Sequence, residues 1–166
     1  TAIALFPRIA RFIKNNEHEK ALAFMHKAFW FLAFILMFST LGGFVLSAEI
    51  TWLLFERGAF DHQDTLETSA ILQMYMIGLL PFGLNKLLVL WLYAQEQQMK
   101  AAKIATLTLG SNIILSLMLI SPLGGVGLAL ASTLSGFIGF FATAKTFSRR
   151  ELLAIISLKK ALLLLL

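Results

Sequence analysis

Lys86 has the strongest claim to chemistry of any residue in this chain. It interrupts an apolar run, with Asn85 before it and Leu87-Leu88-Val89-Leu90-Trp91-Leu92 after it. If the run is helical to Gln95, Lys86 lies nine residues, or roughly 13 Å, from that end. A lysine in mid-bilayer costs about 2.5–3.5 kcal/mol on insertion scales, so its ammonium must face something polar. Two readings follow. Lys86 lines a cavity and meets an anionic substrate or a coupling-ion site, or it pairs with a carboxylate or helix carbonyls from a segment outside these residues. Asn85 points to a different face and reads as a packing hydrogen bond.

A second candidate group is Asp61, His62, Asp64 and Glu67. A metal site would want a second histidine and tighter spacing, so the group reads as a solvated helix start capped by Asp61 or Asp64. His18 and His26 have no visible partner. The chain has no cysteine, which removes thiolate chemistry and disulfides. There is no Ser–His–Asp set, no glycine-rich phosphate loop and no pair of carboxylates inside an apolar run. No catalytic residue, metal site or cofactor is therefore expected, and a coupling ion is left open. Gly78, Pro81 and Gly83 interrupt the run that holds Lys86 and are hinge candidates, because such breaks are tolerated where freed backbone faces protein or a water-filled cavity.

The elements that must hold these residues are visible in what lacks charge. Residues 28–48, 68–85 and 104–144 contain no Asp, Glu, Lys or Arg. About 20 apolar residues span a bilayer core as a helix. The third block is long enough for two passes, split at Ser121-Pro122-Leu123-Gly124-Gly125. The fold class is therefore all-α: a polytopic membrane helix bundle with four full transmembrane helices and partial flanking helices, forming one membrane domain over 1–166. The spans are expected at about 22–48, 65–95, 103–120 and 125–146, with the start of another at 161–166. Composition agrees, since 58% of the 166 residues are hydrophobic and mean hydropathy is +0.81, too apolar for a soluble surface. Both ends fall inside apolar stretches, so the sequence reads as an internal piece of a larger protein.

Loop charges give direction, because Lys and Arg favour the cytoplasmic side of short loops. Arg8, Arg11, Lys14, Lys20 and Lys27 precede the first span. Glu49, Glu56, Asp61, Asp64 and Glu67 face Arg57 alone in the next gap. Lys100 and Lys103 follow the second span, the fourth gap is uncharged, and Lys145, Arg149, Arg150, Lys159 and Lys160 close the series. The alternation places loop 49–67 outside and loops 95–103 and 145–160 in the cytoplasm. The net charge of +5 is then loop bias, not a nucleic-acid surface. Asn15-Asn16 reads as a break, with Asn16 and Glu19 forming a capping box for the first span. Trp52 falls near the outer interface. Gly42-Gly43 and the small residues Ala129, Ser132, Gly136 and Gly139 suit close helix contacts.

Several stretches together resemble one family. They are Ala4-Leu5-Phe6-Pro7-Arg8; Leu54-Phe55-Glu56-Arg57-Gly58-Ala59-Phe60-Asp61, the most specific; Thr65, Thr68, Tyr75, Gly78-Leu79 and Lys86; Trp91-Leu92-Tyr93-Ala94; Lys103-Ile104-Ala105 and Asn112; and Pro122-Leu123-Gly124-Gly125-Val126-Gly127-Leu128-Ala129-Leu130-Ala131 with Ser135. In this colinear set the chain resembles the MurJ (MviN) family of lipid II flippases, of the multidrug/oligosaccharidyl-lipid/polysaccharide flippase superfamily. The resemblance implies two six-helix lobes with additional C-terminal helices. It implies movement of a lipid-linked peptidoglycan precursor from the cytoplasmic to the periplasmic leaflet of the bacterial inner membrane by alternating access. This chain would be the last four helices of the second lobe, with the bilayer and the first lobe as partners. The family's pyrophosphate-binding arginines map to none of these residues, and Lys86 matches a lysine common at its position. Gln95-Glu96-Gln97-Gln98-Met99-Lys100 stands where the family usually carries an Asp-Thr-x-Thr-Pro loop. An exporter of another polyprenyl-linked saccharide, or a non-transporting membrane scaffold, are the alternatives.

Overall fold

The structure is a computed structural model that describes residues 2–157, with residues 2–6 described through their backbone. Six helices follow one another: α1 (Ala2–Lys14), α2 (His18–Val45), α3 (Ser47–Phe55), α4 (His62–Ala94), α5 (Gln98–Ala144) and α6 (Arg149–Ile156). Among the described residues there is no strand. The expected span start at 161–166 lies outside them.

Three of these helices, α2, α4 and α5, are long and apolar enough to cross a membrane. The fourth pass comes from a break inside α5. Gly124 has φ 55° and ψ −132°, a backbone that a Cβ would strain, and it reverses the chain just after Pro122. Gly127 packs on the carbonyl of Leu119, and Gly139 on Thr108. The arms 98–123 and 125–144 are therefore antiparallel, and the split expected at 121–125 is present.

α4 is the central helix, touching α1, α2, α3 and α5. Its register with its neighbours is read from close approaches. Gly43 of α2 meets Met76, and Leu36 meets Gly83, so α2 and α4 run antiparallel. Ile71 meets Gly125, Phe82 meets Gly136 and Asn85 meets Gly139, a constant offset that makes α4 and the 125–144 arm parallel. Small residues set these contacts, because nothing else lets two helix backbones come so close.

Along the 125–144 arm the buried residues are small and polar, while much of the bundle's outside is large and apolar. Ala129, Ala131, Thr133 and Ser135 are buried, whereas Phe31 is 70% exposed, Val45 71% and Leu117 72%. A soluble bundle would be arranged the other way round, and a lipid-facing surface requires this one.

Four details differ from the sequence reading. Asn16 does not cap α2. It adopts φ 59°, and the bonds Asn16 N to Ile13 O and Glu17 N to Phe12 O close α1 in a Schellman turn. Most of the acidic gap 49–67 is helical: α2 ends at Val45, α3 resumes at Ser47 and α4 begins at His62, with Ser47 and Thr51 buried and Trp52 and Leu53 exposed. The gap 145–160 contains α6, whose N-terminus is closed by a capping box between Ser148 and Glu151. His26 has a partner, the carbonyl of Ile155 at 2.8 Å. The expected cap at Asp61 is present, with Asp61 Oδ1 accepting from the amides of Gln63 and Asp64 and Asp64 Oδ2 accepting from the amide of Asp61.

Candidate functional site: one face of α4 and a polar seam beside it

α4 has two unlike sides. Leu84, Leu87, Leu88 and Trp91 are buried against α1 and α2. Tyr75, Phe82, Lys86 and Tyr93 are exposed, and their spacing of seven, four and seven residues puts them on one stripe. Lys86 is therefore an exposed cation between aromatic neighbours. No carboxylate pairs with it among the described residues.

The register revises its depth. Asn85 sits beside Gly139, and Gly139 beside Thr108. Lys103 lies five residues before Thr108 and Lys145 six after Gly139, so these two lysines are roughly 6–8 Å nearer the basic end of the bundle than Lys86. Measured to these lysines and not to Gln95, Lys86 lies closer to the end, because α4 runs past their level. The Cα–Cβ bond of a helical residue tilts toward the helix N-terminus, so the Lys86 stem starts out away from that ring of charge.

Beside the stripe is a pocket of about 380 Å³ between α4 and both arms of α5, lined by Asn85, Thr108, Asn112, Ser132 and Ser135 among apolar residues. Asn112 Nδ2 donates to the hydroxyls of Ser132 and Ser135, both at 3.2 Å. Ser135 in turn donates to the Ser132 carbonyl at 2.8 Å. Among the described residues Asn85 does not make the packing hydrogen bond expected of it: its Oδ1 is buried without a partner there. The seam offers uncharged donors and acceptors in a low-dielectric setting, which suits water or another neutral polar group. Sequence reasoning noted Asn112 and the serines singly. Their meeting depends on the reversal at Gly124, which a one-dimensional reading does not register.

The hinge candidates are closely packed. A methyl group on Gly78 would lie 2.8 Å from Thr133 Oγ1 and 3.3 Å from Thr133 Cα, and one on Gly83 would meet Leu36. Two turns before Pro81, Thr133 Oγ1 donates to the Met74 carbonyl at 2.6 Å, tying the 125–144 arm to α4. α4 stays helical through Pro81, which removes one backbone donor from its ladder.

Asp61, His62, Asp64 and Glu67 do not converge. Asp61 and Asp64 cap each other's backbone, Glu67 accepts from Gln63, and His62 Nδ1 lies 3.5 Å from Glu56 Oε2. No group of three or more His, Asp or Glu able to hold a metal occurs among the described residues.

The family model "Lipid II flippase MurJ" matches residues 1–166. A "Probable lipid II flippase MurJ" of Helicobacter pylori is 48% identical over 163 residues, covering 98% of this chain and 35% of the relative. One of Thermotoga maritima is 36% identical over 128 residues, covering 76% of this chain and 26% of the relative. The chain thus spans about a third of the length of the curated relatives it matches. A solved structure described as "Lipid II flippase MurJ, inward closed conformation" superposes with a TM-score of 0.71 at 29% identity, covering 93% of this chain and 33% of that one.

Proposed function

The chain belongs to the MurJ family of lipid II flippases, and from that membership we propose that it is part of a transporter that moves a lipid-linked peptidoglycan precursor from the cytoplasmic to the periplasmic leaflet of a bacterial inner membrane. The observation that carries this reading is the family match along all 166 residues. The reaction is a relocation with no bond made or broken, so no catalytic set is required.

The basic end of the bundle, with Lys14, Lys27, Lys103 and Lys145, is cytoplasmic, and the acidic α3–α4 corner is periplasmic. These helices form four passes of the second lobe, at about 22–48, 65–95, 103–120 and 125–146. The aromatic stripe of α4 then faces the central cavity shared with the first lobe, and Lys86 meets the diphosphate of the cargo as it passes. A lysine is a mobile point charge on a long stem, suited to follow an anion without fixing it in one geometry. The lobe rocks against its partner, with Gly78, Pro81 and Gly83 letting α4 bend between two fixed contacts.

The test is depletion of the full-length protein in cells. Lipid II should accumulate in the cytoplasmic leaflet and clear when the full-length protein is restored. Accumulation of a different polyprenyl-linked saccharide, with lipid II unaffected, would assign the protein another cargo.

A further inference from the structure

α6 follows α5 in the chain but packs on α2, on the far side of α4. Three residues of the segment that crosses over make the attachments, and they are four apart. The Phe147 ring stacks on Trp91 of α4, with centroids 6.5 Å apart and planes at 24°. Glu151 Oε1 accepts from Gln95 Nε2 at the end of α4, at 3.3 Å, while its Oε2 holds the Ser148 amide. The Ile155 side chain is 1% exposed in a cluster with Met25 and Phe29 of α2. Its carbonyl accepts from His26 Nδ1 at 2.8 Å. Glu151 and Ile155, four apart in α6, share one face, and Phe147 lies just before the N-cap Ser148.

We propose that residues 145–157 are a strap across the basic end of the bundle, tying α5 to α2 over the end of α4, and that His26 is its catch. An eight-residue helix is too short to persist undocked in water, so α6 depends on these contacts. The last four carbonyls of a helix have no intrahelical donor, and a buried one left unpaired is costly. Ile155 is in that last turn, and His26, 129 residues earlier, supplies its missing donor. Donation from Nδ1 fixes the tautomer and leaves Nε2 as the acceptor nitrogen, which is buried without a partner among the described residues. The catch therefore rests on a single hydrogen bond. While it holds, α2 and α5 cannot part at this end. When it opens, only the packing of Ile155 holds the strap to α2, and the tie between α2 and α5 loosens. The strap is independent of what is carried.

Hydrogen–deuterium exchange of the full-length protein in lipid nanodiscs tests this. His26→Phe keeps the ring volume and removes the donor, and peptides covering 149–157 should exchange at least about fivefold faster, with peptides of α4 and α5 unchanged. His26→Asn places an amide donor near the Nδ1 position and should stay close to the wild-type rate. Unchanged exchange in His26→Phe, or equal loosening by Phe and Asn, would mean that packing alone holds α6. Faster exchange throughout the protein would make His26 a general core residue. Any of these three results overturns the catch.

Discussion

Thr65 donates its hydroxyl to the Glu56 carboxylate at 2.6 Å, across the corner between α3 and α4. The stretch 54–61 carried the family resemblance most specifically, and six of its eight positions have a structural task. Arg57 donates to the Leu53 carbonyl at the end of α3. Gly58 turns the chain at φ 63°. Phe60 lies against Phe55 with ring centroids 6.0 Å apart, and Asp61 caps α4. The motif marks a corner that sets where α4 begins, and through α4 the height of Lys86. It does not touch the candidate site itself.

Thr65→Val should therefore destabilise the full-length protein by about 1–3 kcal/mol, since it strips a partly buried carboxylate of its donor while keeping the side-chain volume. Thr65→Ser keeps the donor and should lie near wild type. Asp61→Ala should cost about 1 kcal/mol through the lost cap. Thermal unfolding in detergent reads all three, and a Thr65→Val melt equal to wild type would show the corner to be held by packing.

Gly78 and Gly83 should respond unequally to alanine. At Gly78 the added methyl meets the Thr133 backbone at 3.3 Å, and a backbone cannot step aside. Overpacking of that kind costs about 1–3 kcal/mol. At Gly83 the obstacle is the far end of the Leu36 side chain, which can rotate away. Gly42 faces open space, so Gly42→Ala should be neutral or stabilising by up to about 1 kcal/mol. The ranking Gly78 worst, Gly83 intermediate and Gly42 best is checked by the same melts; equal effects at Gly78 and Gly83 would remove the packing distinction between them.

Glu96 sits at φ 60° at the end of α4, where Gln97 N bonds Leu92 O and Glu96 N bonds Tyr93 O. This turn repeats the one at Asn16. A non-glycine residue in the left-handed region costs about 1–2 kcal/mol, so Glu96→Gly should raise the melting temperature. Glu96→Val, with a branched Cβ, should lower it. A drop in Glu96→Gly would count against the left-handed turn.

What the sequence disclosed and what it hid have different physical origins. Burial in lipid is recorded residue by residue, so the charge-free blocks exposed the spans, and Gly124 with Pro122 exposed the reversal. Asp61 was legible because capping is local. Asn16 misled because the same residue type suits an N-cap and a left-handed C-terminal turn, and only the neighbouring backbone decides between them. α3 was hidden because its buried face is Ser47 and Thr51 while its apolar residues point outward, the reverse of a soluble amphipathic helix. The contact between His26 and Ile155 joins residues 129 apart, and no local pattern encodes it. The level of Lys86 relative to Lys103 and Lys145 was hidden for a similar reason, since it is a property of the neighbours' register and not of one helix.

Lys86 is the residue whose replacement separates function from fold most cleanly. Its side chain is exposed and pairs with no carboxylate among the described residues, so Lys86→Ala should shift stability by no more than about 0.5 kcal/mol. Membrane insertion should become easier, because a cation inside an apolar span is costly to insert and is now gone. A loss of transport in Lys86→Ala, with protein level and melting temperature unchanged, then belongs to the charge. Lys86→Arg keeps the cation, changes its geometry to a rigid planar fork and should retain part of the flux, whereas Lys86→Gln keeps length without charge and should behave like alanine. The measurement is lipid II flux by the full-length protein, normalised to its amount in the membrane. Wild-type flux in Lys86→Ala would take Lys86 out of the cavity and leave it as a lipid-facing lysine that reaches for the headgroups.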